Sequence, residues 1–89
     1  MLAVATVSDI SEQVRQADFI DEDIVTSLRA AYPDIHFTYC LDDDITVGKP
    51  VIEENKFNIY LIDGREHCLC LTNDYDTATG IVIAEVIED

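Results

Sequence analysis

Phe57-Asn58-Ile59-Tyr60-Leu61-Ile62-Asp63-Gly64-Arg65-Glu66-His67-Cys68-Leu69-Cys70-Leu71-Thr72 is the stretch on which the reading of the fold turns. Two β-rich runs flank Asp63-Gly64, a dipeptide suited to a type I′ hairpin turn, in which both central residues take positive φ. A two-residue loop pairs Ile62 with Arg65, and a four-residue loop pairs Ile62 with His67. Strand side chains alternate, so both registers give the same faces. Phe57, Ile59, Leu61, Cys68 and Cys70 fall on one, and Asn58, Tyr60, Ile62, His67, Leu69 and Leu71 on the other. Both faces are rich in apolar groups. The hairpin is therefore expected to lie centrally in a sheet, its second face covered by a loop, by long side chains or by another subunit.

Upstream of the hairpin the apolar period changes from two to between three and four. Val4, Val7, Ile10, Val14 and Ala17 form one stripe of a helix whose other face carries Asp9, Glu12, Gln13 and Arg15, with Thr6 or Ser8 as the expected cap. A second helix is expected to start at Asp21 as N-cap, with Glu22 and Asp23 at the positive end of its dipole and Ile20 stapled to Val25. Ile24, Val25, Leu28, Ala31 and Tyr32 make its apolar face, and Pro33 ends it. With a three- or four-residue corner between them, the two helices read as an αα-hairpin.

Ile35-His36-Phe37-Thr38-Tyr39-Cys40 alternates as a strand, and Leu41 to Pro50, with Asp42-Asp43-Asp44, Gly48 and Pro50, reads as an exposed loop. Val51 to Glu54 adds a short edge strand. Asn73 to Gly80 is a polar connection with one helical turn capped at Asp74, and Ile81 to Ile87 is the last strand. The expected architecture is a single α+β domain spanning residues 1–89, an N-terminal helical hairpin packed on a three- to four-stranded antiparallel sheet.

The 89 residues include 19 acidic and 5 basic side chains, for a net charge of −14, yet 48% are hydrophobic, which is enough to build one core. A field of that sign repels phosphate backbones and anionic headgroups, so direct binding of nucleic acid or of a membrane surface is not expected. A basic or mixed-charge protein surface is the expected partner; mimicry of nucleic acid is a weaker alternative. No cationic leader precedes the first apolar run, no run reaches the length of a membrane span, and three cysteines cannot all pair within one chain. A reducing, cytoplasmic setting is the expectation.

Cys68 and Cys70 share a strand face with Cα atoms about 7 Å apart, too extended for an easy mutual disulfide but able to bracket a soft metal. Cys40 would complete that set if the first strand neighbours the third. His67 points to the opposite face, and His36 shares the face of Cys40. Against a metal or iron-sulfur-related carrier stands the absence of any Cys-x-x-Cys pair, and the ordinary reading is burial as small hydrophobes. His67 and Cys68, on opposite faces, make no nucleophile-base pair, so neither an enzyme nor a cofactor is expected. Asp42-Asp43-Asp44 and Asp74-x-Asp76 lack the pattern of a calcium loop. The residues expected to meet a protein partner are Asp42, Asp43 and Asp44 in the loop, and Asn58, Tyr60 and His67 on the second hairpin face.

His36-Phe37-Thr38-Tyr39-Cys40 followed by Asp42-Asp43-Asp44, then Phe57 to Gly64, Glu66 to Leu69 and Ala78-Thr79-Gly80, resembles the small acidic uncharacterised proteins encoded beside nitrogen-fixation genes in proteobacteria. The likeness runs from Phe19 to Glu88 and is weaker at the first helix, at Ile45 to Glu54 and at Cys70. It implies a bacterial accessory protein in a nitrogenase context, with no activity and no catalytic residues to carry over.

Overall fold

The computed structural model describes residues 2–17, 19–45, 48–64 and 70–87. Helix α1 runs Val4–Gln16 and α2 Glu22–Ala31, joined by a corner at 17–21. Asp21 caps α2 as its sequence indicates, its Oδ1 accepting the N–H groups of Asp23 at 3.0 Å and Ile24 at 3.3 Å. That satisfies two of the donors that every helix start leaves over. Helix α1 starts differently. Its N-cap is Ala3, with no side-chain cap, and the N–H of Leu2 bonds the carbonyl of Tyr75 at 2.9 Å. That tie fixes the chain just ahead of the helix, and Thr6 and Ser8 lie inside α1 rather than capping it. Val7, Ile10 and Val14 are buried on α1, and Val25 and Leu28 on α2, while Val4 and Ala31 at the helix ends are exposed.

The strands are β1 His36–Leu41, β2 Ile52–Glu53, β3 Phe57–Asp63, β4 Cys70–Thr72 and β5 Gly80–Glu85. They form one five-stranded sheet ordered β1-β5-β3-β2, with β4 also paired to β3. The class is α+β with both helices at the N-terminal end. One pairing departs from the antiparallel expectation, because β1 runs parallel to β5, His36 opposite Gly80 through Leu41 opposite Glu85. Parallel neighbours need a long crossover, and residues 42–79 supply it by building β2, β3 and β4 before the chain returns beside β1.

The hairpin at the centre is real, but its turn is not at Asp63-Gly64. Asp63 continues β3 and pairs with Cys70, Ile62 pairs with Leu71 and Leu61 with Thr72. Neither Ile62–Arg65 nor Ile62–His67 is the register. The only positive-φ residue among those described is Gly48, so Asp63-Gly64 is not a type I′ turn; the N–H of Gly64 is held instead by Thr79 Oγ1 at 2.9 Å. The shift is by an even number of residues, so the faces are the expected ones. Arg65, Glu66, His67, Cys68 and Leu69 lie outside the described residues.

Both faces of the sheet are covered by the chain itself. Phe37, Phe57, Ile59, Leu61, Ile81 and Ile83 pack with the helices in one cluster. Tyr60, Ile62, Val82 and Ala84 form a second cluster on the opposite face, closed by Cys40, Ile45 and Leu71. The loop after β1 contributes Ile45 to that second cover. At Gly48, whose φ is +95°, a Cβ would lie 2.8 Å from Leu71 Cδ1, so the loop backbone rests on the β4 side chain. No helix among the described residues is long and apolar enough to cross a membrane.

Gly80 packs tightly against β1. A Cβ there would stand 2.9 Å from the backbone oxygen of His36 and 3.0 Å from its Cβ, which only a shift of the strand can relieve. Gly80→Ala is expected to cost about 1–3 kcal/mol, read as a lower urea midpoint at unchanged slope.

Candidate functional site

Of the residues that the sequence marks for partner contact, three converge. Asp42 opens a 3-10 turn, Asp42–Asp44, directly after β1. Its Oδ1 accepts from Asn58 Nδ2 and from the Tyr60 hydroxyl, both at 3.0 Å. Asn58 and Tyr60 are alternate residues of β3, so strand periodicity aims both side chains at one point on the second face. Donors to an ionised acceptor make stronger bonds than neutral pairs, and the pair pins the turn to the sheet. Tyr60 is 5% exposed, so its ring is core rather than contact surface. Burial, and then the bond to Asp42, push its hydroxyl above the ordinary tyrosine range. Asp43 and Asp44 remain exposed beside the anchored carboxylate. His67 lies outside the described residues.

The cysteines are not brought together. Cys40 is half-buried on the second face against Ala84, whereas Cys70 pairs with Asp63 on the face of Leu61 and is exposed. Strands β5 and β3 lie between β1 and β4, so the first strand does not neighbour the strand that carries Cys70, as a shared site requires. Cys68 is outside the described residues. The exposure of Cys70 also departs from burial as a small hydrophobe; β4 lies at the rim of the sheet. At Cys40, burial and then Asp44 and Asp42 raise the thiol pKa, which keeps it protonated and slow as a nucleophile. Among the described residues no group of three or more His, Cys, Asp or Glu side chains is arranged to hold a metal ion.

On the helix face, Tyr39 donates to Glu85 Oε1 at 2.5 Å. Sequence reading misses this pair because only the parallel β1–β5 register sets the two strands side by side. Around the far end of that strand, a cleft of about 630 Å³ lies between the helical corner and the β2–β3 turn. Phe19, 79% exposed, and Ile87 stand on its rim, and Arg15 reaches Glu54 across it at 3.8 Å.

A helical hairpin covering one face of a mixed sheet, with an acidic turn strapped across the other, defines a small α+β domain. Over residues 9–86 the chain matches the family of unknown function DUF6129, and it belongs to that family. No curated protein and no solved structure matches it.

The Glu85 bond holds Tyr39 in its neutral form and pushes its pKa up to about 12. A pKa raised above the unfolded value near 10 adds stability that is present in full below pH 10 and fades as pH rises towards 12. Urea unfolding across that range should show the loss in the native chain, and Tyr39→Phe should flatten it. Removing the Asp42 anchor is a second test. Asp42→Ala takes the acceptor from both the Tyr60 hydroxyl and Asn58 and should cost about 1–3 kcal/mol, whereas Tyr60→Phe, which keeps the Asn58 bond, should cost about 0.5–1.5 kcal/mol in the same assay.

Proposed function

We propose that the protein is a non-enzymatic accessory module that binds a protein partner through its acidic surface. The observation carrying this reading is the anchored turn. Asn58 and Tyr60 hold Asp42, so the exposed Asp43 and Asp44 are carried on fixed backbone beside it rather than on a free loop. A carboxylate array ordered before binding loses less entropy when it meets cations than a mobile one does. The overall charge of −14 favours a basic or mixed-charge protein surface and disfavours nucleic acid and anionic lipid. The resemblance to proteins encoded beside nitrogen-fixation genes supports seeking that partner in a bacterial cytoplasm, among the proteins made during nitrogen fixation.

The test is affinity capture from cells of the source bacterium grown under nitrogen-fixing conditions. One or more proteins should be enriched at about 0.05 M salt and depleted at about 0.3 M, where surface charges are screened over shorter distances. Asp43→Asn with Asp44→Asn should lower recovery in the same direction while leaving the urea midpoint in place. Absence of any enriched protein at both salt levels would overturn the reading.

A further inference from the structure

Strand β1 stands at the end of the sheet, and its hydrogen-bonding groups divide cleanly between two edges. A strand residue points its N–H and C=O to the same side, and successive residues alternate. The N–H of His36 bonds the carbonyl of Thr79, and the register sets His36, Thr38 and Cys40 towards β5. Phe37, Tyr39 and Leu41 therefore turn their main-chain groups away from the sheet. Arg29 covers the first of these, its Nη2 donating to the carbonyl of Phe37 at 2.9 Å. Among the described residues no partner takes the N–H of Tyr39 or Leu41 or the carbonyl of Tyr39. Open edges of this kind are templates for an added strand.

The surrounding charge selects the occupant. Exposed Asp34 precedes β1, and exposed Asp43 and Asp44 follow it, so carboxylates stand at both ends of an edge about 20 Å long. A second copy laid antiparallel on this edge would set the Asp34 end of each strand against the Asp43 end of the other, between two chains of charge −14. Like charges there oppose self-pairing. An extended segment with Lys or Arg at its two ends meets carboxylates at each, Asp43 and Asp44 at one and Asp34, with the Arg29 guanidinium nearby on the Phe37 carbonyl, at the other.

We infer that β1 is a docking edge for an extended basic segment of a protein partner, which adds as a sixth strand through the main chain of Tyr39 and Leu41. This rests on the proposed interaction role and names its mode. The side chains of the incoming segment would lie beside exposed His36 and Thr38 on one face and beside the Tyr39–Glu85 pair on the other.

The test uses a synthetic peptide with an alternating Thr-Val core and Lys-Arg at each end. Leu41→Pro removes one outward N–H; Leu41 has φ −87° and ψ 142°, close to proline's own range, and its N–H takes no part in the β1–β5 ladder. Binding should slow amide hydrogen exchange at Tyr39 and Leu41. It should weaken by about five-fold or more, the loss of roughly one hydrogen bond, in Leu41→Pro. The same peptide N-methylated along its bonding edge should fail against the unaltered protein, a result that does not depend on how the variant folds. Equal binding of the methylated peptide would overturn the docking edge while leaving charge-driven interaction intact. So would equal binding of a peptide ended by Asp, or concentration-dependent protection of the same amides without any peptide, which would make the occupant a second copy. Absence of peptide binding would also overturn it, and captured partners with salt-dependent recovery would then show that the acidic surface acts by another route.

Discussion

The fold depends on β5 being paired along both edges and covered on both faces. Gly80 to Ala84 are all buried, with β1 on one side and β3 on the other. Such a strand has no solvent-facing row, and every residue must meet an apolar neighbour. Ile81 and Ile83 meet the helices; Val82 and Ala84 need a second cover, and Ile45 of the loop after β1 supplies it together with Cys40 and Leu71. Loops carry backbone polar groups that bury poorly, so this one is fastened by side chains: Asp42 to Asn58 and Tyr60, and Asn73 Nδ2 to the carbonyl of Lys49 at 3.0 Å. The acidic turn is thus part of how the sheet is closed, and its exposed carboxylates are positioned as a consequence.

Local chemistry was legible, and long-range pairing was not. Asp21 and Pro33 mark the bounds of α2 because capping and the steric effect of proline act within a few residues. The alternation of Ile35 to Cys40 sets Phe37 and Thr38 on opposite faces, and the structure buries the first and exposes the second. Which strands adjoin is another matter, since periodicity gives a strand its faces and says nothing of its neighbours. The parallel β1–β5 pairing, and with it the Tyr39–Glu85 bond, depends on where a chain returns after residues 42–79. Asp63-Gly64 misled for a related reason: the hydroxyl of Thr79, fifteen positions further on, holds Gly64 in line with the strand. A distant hydrogen bond overrode a local turn preference.

The candidate site was half legible on the same terms. Asp42, Asn58 and Tyr60 could each be nominated by exposure pattern or strand face. What escaped was that they bind one another, which turns Tyr60 from contact surface into anchor. The cysteines were grouped by closeness in sequence, and the sheet order separates Cys40 from Cys70 by two intervening strands and by opposite faces.

The parallel contact between β1 and β5 also bears on how the chain is made. During synthesis β1 emerges long before its partner, and residues 42–79 must follow before β5 exists to pair with it. Until then the helices have only a partial floor to pack on, and β1 is open along both edges. Contacts of such sequence separation slow folding and lengthen the exposure of unpaired strand to other nascent chains. A net charge of −14 repels like chains during that interval.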